Sequence, residues 1–368
     1  MKYVGFLLIG LHLVAAAPQG MGGMTMDPGM TMDPTVTMDP PTVSTETSAT
    51  PSPSSPGGDF FEPSLDPSGE PFTPGGTITK IKYGPYSVDA MDMVENRPDL
   101  NLEQPCSDCY IVALQAGLEY ANGTSANIDT GAWLHHMVLY VNGIGLVDPV
   151  CPIGPHRVYA SGNERGCARA NRHLKYGIHV PQLGSIGMIY DLMNHSDSPQ
   201  EYFITMTYEW VDGAAAEGYK PVTVAWLDVT GNCPISYVRP REGQFELKSN
   251  GWSSTVSGRL LSAYGHEHDG GVDTTIYKNG EAICVSNMEY GGDPAYVSPG
   301  GDMPGMPGMG GVEHLSAASV CEDFGDVSIG DTLVIGAHYD TDAHPLDLDM
   351  KTGEPMEIMG ISRVYIGT

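Results

Sequence analysis

The chain has 368 residues, which is enough for two domains of ordinary size. Its formal net charge of −28 argues against binding to nucleic acid or to an anionic membrane, since either partner requires a basic surface. The 47 glycines and 29 prolines, together with only 17% charged residues, favour many short strands and turns over long helices.

The N-terminus has the organisation of a secretory signal peptide, predicted over residues 1–17. Lys2 supplies the positive start, Val4 to Val14 form an apolar core, and residues 15–17 are alanines suited to cleavage. This apolar run is too short to span a membrane, and no later segment approaches the roughly 20 apolar residues that a span needs. The sequence therefore predicts a secreted, extracellular protein without a membrane span.

Residues 18–76 form a low-complexity segment rich in Met, Pro, Ser and Thr. The pentapeptide Met-Thr-Met-Asp-Pro occurs at 24–28 and again at 30–34. Such a composition buries too little apolar surface to offset the entropy of ordering, so the sequence predicts a disordered stalk. Its methionines could attract Cu(I), which favours thioethers, although a plain spacer is the default interpretation. A similar Met-Pro-Gly stretch at 299–312 predicts a flexible loop.

Seven cysteines in an exported chain predict disulfides, with at least one cysteine left over. Cys106 and Cys109 stand in a Cys-x-x-Cys motif, which could also belong to a zinc ribbon or a redox site. No second such motif follows, so a structural bridge is the favoured interpretation. Sequons at Asn122 and Asn194 predict glycosylation in exposed loops.

From about residue 77 onward, short alternating or apolar runs stand between turn signals. Examples are Tyr110–Leu118, Trp133–Val141, Glu201–Trp210 and Ile361–Tyr365. Long amphipathic helices are not evident. The sequence predicts an all-β fold of two consecutive jelly-roll-like β-sandwich domains, at 77–212 and 213–368.

Two histidine pairs are the strongest candidates for metal ligands. His266 and His268 stand two apart after an apolar run, and residues i and i+2 of a strand point to the same face. They could therefore bind one metal together. His135 and His136 are adjacent and would face opposite ways on a regular strand, so a joint role would require a β-bulge. For both pairs, buried or surface histidines without a metal are the alternative.

The motif His135-His136-Met137-Val138-Leu139-Tyr140 resembles the His-His-Met motif of the copper type II, ascorbate-dependent monooxygenases. That family includes peptidylglycine α-hydroxylating monooxygenase and dopamine β-monooxygenase. His266-Glu267-His268 is similar to the family's His-x-His copper pair, and Met359 falls where its methionine ligand stands. The resemblance covers roughly residues 80–368. The chain resembles uncharacterised secreted fungal proteins and nodulin-19-like plant proteins more closely than it resembles the characterised monooxygenases.

This resemblance implies one or two copper ions, with ascorbate as a possible reductant. The copper at His266, His268 and Met359 would activate dioxygen and abstract hydrogen from a C–H bond. The copper at His135 and His136 would pass one electron. The third ligand of the copper at His135 and His136 would be His195, with His173 and His179 as alternatives.

Other positions depart from the family pattern. The amidating enzyme has an arginine two residues before its His-x-His pair, where it binds a peptide carboxylate, and this chain has Tyr264 there. The family's Asn and Tyr after the methionine ligand are replaced by Ile361 and Arg363. The resemblance therefore disfavours peptide amidation and leaves the substrate unknown.

Two functions of different class remain after these comparisons of motifs. One is a secreted copper monooxygenase-like oxidoreductase that hydroxylates an unknown substrate. The other is a non-catalytic secreted protein on the same scaffold, which binds copper or a cell-surface or cell-wall partner. Turnover of oxygen with ascorbate distinguishes the first from the second.

Overall fold

The computed structural model describes residues 60–231, 233, 238–299 and 311–368. The predicted signal peptide, most of the predicted stalk and most of the predicted Met-Pro-Gly loop lie outside these residues. Within the described part, two short 3-10 turns, Ile128–Thr130 and Pro294–Tyr296, are the only helical segments. A helix with the length and apolar character needed to cross a membrane is therefore not found among the described residues.

The described residues form twenty strands. In chain order they are β1 (Thr77–Val88), β2 (Asp92–Leu102), β3 (Cys109–Tyr120), β4 (Ala132–Asn142), β5 (His156–Ser161), β6 (Ala168–Arg169), β7 (Tyr176–Val180), β8 (Ser185–Asn194), β9 (Gln200–Val211), β10 (Lys220–Asp228), β11 (Gln244–Lys248), β12 (Trp252–Ser253), β13 (Gly258–Glu267), β14 (Gly271–Lys278), β15 (Glu281–Tyr290), β16 (Leu315–Ala318), β17 (Val320–Glu322), β18 (Asp326–Val327), β19 (Thr332–Asp340) and β20 (Gly360–Gly367).

A ten-stranded sheet runs through the described fold in the order β1-β9-β3-β7-β10-β20-β13-β17, with β6 and β18 paired at its sides. Strand β20 reads Gly-Ile-Ser-Arg-Val-Tyr-Ile-Gly and every one of its residues is buried, because it is central in the sheet and covered on both faces. The edge strand β1 instead alternates in part between exposed and buried positions, as the period of two requires.

Two smaller sheets cover this large one. The sheet β2-β8-β4-β5 packs over its first part, where β1 contacts β2 and β8 and where β3 contacts β4. The sheet β11-β19-β14-β15-β16 packs over its second part, where β13 contacts β14 and β15 and where β19 contacts β20. Side chains between the layers exclude water from two large cores. The predicted all-β sandwich fold is confirmed.

The two cores correspond only in part to the predicted division at residue 212. The first core takes most of its side chains from β1 to β9, yet it includes Leu261 and Tyr365 from the second half of the chain. Strands β7 and β10 join the halves by a short parallel pairing of Tyr176 with Lys220 and Gly177 with Pro221. Residues 77–212 and 213–368 as separate domains stay a prediction.

The segment 60–76 differs from the stalk predicted for it, because it packs against the large sheet. The carboxylate of Glu62 is buried and lies 2.8 Å from Arg169 Nε and 2.9 Å from Arg172 Nη2. Arg169 is also paired with buried Glu209 at 2.7 Å. Charges that leave water require partners of this kind, so this segment is part of the folded unit.

All seven cysteines are described, and six of them form disulfides: Cys106–Cys109, Cys151–Cys233 and Cys284–Cys321. Cys167 is buried and free. The prediction of bridges with one cysteine left over is confirmed, as is the structural bridge in the Cys-x-x-Cys motif.

One sequon is not in an exposed loop. Asn194 is fully buried at the end of β8, and its Nδ2 donates to the carbonyls of Asp89 and Ser198 at 3.0 and 2.9 Å. The prediction of an exposed loop is therefore wrong for Asn194, since its amide is already committed to the main chain. Asn122 is exposed in the turn after β3.

Candidate metal centre

A β-bulge in β4 brings His135 and His136 to the same side. In the pairing of β4 with β8, Leu134 faces Leu192 and His136 faces Asp191, so His135 is the extra residue. The residues before and after the pair are buried in the core, and both histidines are half-buried. The bulge that the sequence required for a joint role is thus present, and it turns both imidazoles away from the core.

The other pair stands where β13 ends. His266 is in β13 opposite Ile361 of β20, and His268 follows directly after the strand. The main-chain N–H of Gly271 donates to the carbonyl of His268 at 3.0 Å, which closes the turn. Gly270 has a φ of +93° in this turn, a conformation that suits glycine.

These two pairs meet in one cluster. The Nε2 atoms of His136 and His268 lie 2.8 Å apart. One ligand atom from each of His135, His136 and His268 falls within 4.8 Å of the others. The ring of His266 is perpendicular to that of His268, at 5.8 Å between centroids, and 5.5 Å from that of His136. The geometry is therefore one four-histidine group.

Hydrogen bonds on the outer nitrogens fix the tautomers of His136 and His268. Nδ1 of His136 lies 2.9 Å from Oδ2 of Asp191, and Nδ1 of His268 lies 2.6 Å from the carbonyl of Glu357. A carbonyl only accepts, so the Nδ1 of His268 carries the proton, and the carboxylate of Asp191 assigns the same tautomer to His136. In the neutral rings, both Nε2 atoms then present lone pairs to each other.

His266 follows the same pattern with a buried partner. Its Nδ1 donates to Oε1 of Glu164 at 3.0 Å, and Oε2 of Glu164 accepts from the N–H of Gly162 at 3.0 Å. Its Nε2 is buried and has no hydrogen-bond partner among the described residues. Imidazoles that bind a metal through one nitrogen usually donate from the other to such an acceptor.

Burial keeps three of the four imidazoles, those of His135, His136 and His268, neutral at physiological pH. Burial, followed by repulsion from the neighbouring imidazoles, holds the pKa values of His135 and His136 well below the usual range. The same causes lower the pKa of His268 to about 4. Burial opposes ionisation of Glu164, but the charge and hydrogen bond of His266 bring its pKa down to about 2. Neutral imidazoles are the form that binds a metal.

The donor set fits a metal ion. Two lone pairs at 2.8 Å repel unless a cation lies between them, and two nitrogens bound to one metal at about 2.0 Å and at a right angle are about that far apart. The unpartnered Nε2 of His266 is a further donor with no other use among the described residues. Imidazole nitrogens suit copper, zinc, iron and nickel, so geometry alone does not select the metal.

The cluster lies at the wall of a cavity of about 660 Å³ that all four histidines line. Met359, the predicted thioether ligand, lines the same cavity and is buried beside Trp226 and Ile361. Its carbonyl accepts a hydrogen bond from the Tyr339 hydroxyl at 2.6 Å, and that hydroxyl also accepts from the N–H of His268 at 3.3 Å. Tyr339 thus ties the methionine segment to the histidine turn.

The structure does not bring His195 into this cluster. Its ring stacks on Trp133 at 5.0 Å, and Trp133 in turn contacts the ring of His314 at 4.7 Å. Burial lowers the pKa of His195. The alternatives His173 and His179 are not among the residues that line the cavity either.

Behind the histidines lies a second polar group, formed by Asp269, His314 and Asp347. His314 Nδ1 lies 2.5 Å from Asp269 and 3.4 Å from Asp347. Burial opposes protonation, yet these two hydrogen bonds raise the pKa of His314 to about 10. An imidazolium between two carboxylates fixes the turn after His268, because Asp269 also accepts from the N–H of Leu315 at 2.9 Å.

Two curated fungal proteins are similar to this chain. Probable copper-dependent oxygenase M1 of a Phoma species is 29% identical over 295 residues, which cover 78% of this chain and 72% of that protein. Probable copper-dependent oxygenase clz3 of Cochliobolus lunatus is 28% identical over 259 residues, which cover 69% and 78%. No family model matches the chain.

Solved structures give only a remote likeness. The glycosylasparaginase PNGase F from Flavobacterium meningosepticum has a TM-score of 0.31 and 13% identity, over 79% of this chain and 96% of that one. The VP54 protein of PBCV-1 has a TM-score of 0.28 and 8% identity, over 79% and 93%. At these scores neither structure bears on the function of this protein.

Proposed function

We propose that this protein is a secreted copper-dependent oxygenase with one copper ion shared by both histidine pairs. His135, His136 and His268 would bind the ion, and His266, whose Nε2 has no hydrogen-bond partner among the described residues, is the fourth imidazole of the group. The observation that carries the proposal is the separation of 2.8 Å between the Nε2 atoms of His136 and His268, both with lone pairs.

The choice of copper rests on the two similar proteins, which both bear the name of copper-dependent oxygenases. It also rests on the soft character that Met359 would add to the imidazoles if it acts as the predicted thioether ligand. Copper bound here would supply one-electron chemistry toward dioxygen, with ascorbate as the proposed reductant. Three disulfides suit the oxidising compartment of a secreted protein.

The chain's own residues would hold the imidazoles in place and keep water away. Asp191, Glu164 and the Glu357 carbonyl each accept from an Nδ1–H and so fix the direction of the opposite nitrogen. The buried walls around Trp226 and Met359 would exclude bulk water from the reacting bond, which strengthens interactions inside the cavity. His195 has no part in this centre, since its ring lies against Trp133.

A shared centre differs from the two separate coppers that the family resemblance implies. Separate ions would need each pair to have its own third ligand, and the pair at His135 would need one other than His195. A single ion explains why three imidazoles, drawn from both pairs, fall within 4.8 Å of one another. We therefore favour one copper site that would serve both roles implied by the resemblance, oxygen activation and electron transfer.

The test is oxygen consumption by the full chain after copper reconstitution. With ascorbate, we expect copper-dependent oxygen uptake that His268→Ala abolishes. His179→Ala is the matched control, because it removes an imidazole that is paired with Asp108 away from the cavity. Copper binding without any oxygen uptake would overturn the oxygenase and favour the non-catalytic copper-binding protein.

A further inference from the structure

The cavity beside the histidines has mainly apolar walls. Side chains from β2, β4, β5, β10 and β20 and from the segment before β20 contribute, including Met93, Val138, Ala160, Trp226, Met356 and Ile361. Its volume of about 660 Å³ is within the range of pockets that bury a drug-sized small molecule. Apolar walls of this extent favour an apolar ligand, because burying such surface is the main source of affinity.

The polar part of the lining carries charges of mostly one sign. Five carboxylates line the cavity, on Glu95, Asp191, Asp349, Glu354 and Glu357. Glu95, Glu354 and Glu357 are exposed at its rim. Partial loss of hydration, followed by repulsion from Asp191, Glu357 and Asp349 and opposed by the charge of Lys351, raises the pKa of Glu95, which indicates that these groups are close enough to act on one another.

The positive charge near these carboxylates is already paired. Lys351, whose charge acts on Glu95, lies outside the lining with its Nζ 2.5 Å from Oδ1 of Asp92. Among the described residues that line the cavity, Arg157 is the one arginine or lysine. Its Nε lies 2.6 Å from Oδ2 of fully buried Asp148, and its guanidinium stacks on Trp226 at 4.8 Å. This cation is therefore already neutralised, and its exposed surface continues the wall formed by Trp226.

We infer that the cavity binds an apolar small molecule without an anionic group, and that it rejects carboxylates. The inference rests on the proposed function for the reaction, but the selectivity comes from the walls and the rim alone. An anionic ligand would lose hydration on entering and then meet several like charges with no free cation to pair with. A neutral molecule loses little, and a cationic one gains from the rim.

The experiment measures binding rather than turnover, with the full chain freed of copper by a chelator. Phenylnaphthylamine, a neutral fluorescent probe for apolar sites, reports occupancy of the cavity. Three competitors with the same chain are then compared below their micelle concentrations: dodecanol, dodecylamine and dodecanoate. We expect the alcohol and the amine to displace the probe, and the carboxylate to be at least about tenfold weaker.

Variants locate the binding and the charge effect. Ala160→Phe places an aromatic ring in the cavity and should weaken probe binding, and Val138→Phe at the directly paired position of β4 does the same if the first variant does not fold. The double variant Glu95→Gln with Glu354→Gln removes two rim charges. It should reduce the difference in affinity between dodecanol and dodecanoate. Glu281→Gln, an exposed carboxylate of β15 outside the cavity lining, is the matched control.

The inference is overturned if dodecanoate competes as well as dodecanol, or if both phenylalanine variants fold and bind the probe as tightly as the wild type does. Because no copper is present, these results are independent of the oxygenase. Copper-free protein that discriminates as expected, while the reconstituted protein consumes no oxygen, would support this inference and overturn the proposed function. Oxygen uptake by the reconstituted protein, together with no discrimination by the copper-free protein, would support the proposed function and overturn this inference.

Discussion

The Nε2 atoms of His136 and His268 lie 2.8 Å apart, although 132 positions separate the two residues in the chain. Each imidazole donates from its Nδ1 to an acceptor on its own side, Asp191 for His136 and the Glu357 carbonyl for His268. The facing nitrogens are left with lone pairs only. This arrangement is stable when a cation lies between them, which makes the pair the centre of the functional account.

Glu164 should contribute to metal affinity through His266. Glu164→Ala removes the acceptor of the Nδ1 proton, and we expect copper affinity to fall by about 10- to 100-fold, as is usual for such outer partners. Glu164→Gln keeps an oxygen acceptor without the charge and should have a smaller effect. Competition with a chromophoric chelator measures both variants, and equal affinities for wild type and Glu164→Ala would contradict the role of His266.

His314 should make the folded protein less stable as the pH becomes alkaline. Its pKa rises from an ordinary 6.5 to about 10 in the folded state. A histidine whose pKa is raised by folding stabilises the folded state fully at pH values below its ordinary pKa of 6.5. This contribution to the free energy of unfolding is lost as the pH rises toward 10. The free energy of unfolding, measured by urea titration at several pH values, should decline over this window in the wild type. His314→Gln should flatten that decline, and parallel curves would contradict the prediction.

Glu62 should stabilise the fold although it lies outside the predicted domains. Its carboxylate pairs with Arg169, whose side chain is only 3% exposed. Glu62→Ala leaves this buried charge with Glu209 as its one remaining carboxylate partner among the described residues, and we expect a loss of about 3 kcal/mol in the free energy of unfolding. Glu70→Ala, at an exposed position of the same segment, is the control and should be nearly neutral. Equal stability of the two variants would show that 60–76 is not part of the folded unit.

Cys167 should be a single unreactive thiol. Burial, with a smaller contribution from the charge of Glu62, raises its pKa far above the usual range, and the thiolate is the reactive form. Ellman's reagent should find no rapidly reacting thiol in the native protein and about one per chain after unfolding without reductant. Rapid reaction in the native protein would contradict its burial.

Strand positions were predictable from the sequence because each strand reports its own environment. The runs Trp133–Val141 and Ile361–Tyr365 lie within β4 and β20, where a buried face or two buried faces determine the residue types. The need for a bulge at His135 also followed from local geometry, since adjacent residues cannot otherwise share a face.

The assembly of the site was not predictable in the same way. Asp191 and Glu164 contact histidines that are 55 and 102 positions away, so no local pattern marks them. The family resemblance implies a separate site for each histidine pair, one in each predicted domain, whereas the large sheet continues across the predicted division through β7 and β10. His195 stood in a plausible position in the sequence, but stacking on Trp133 holds it elsewhere.

The most direct test of a shared centre is the copper content of reconstituted full-length protein and of its two single variants. We expect about one copper ion per chain in the wild type, and less than about a tenth of an ion in either His136→Ala or His268→Ala, because both nitrogens belong to one site. His179→Ala should bind as the wild type does. Two ions in the wild type, with about one retained by each single variant, would contradict the shared centre and indicate two independent sites.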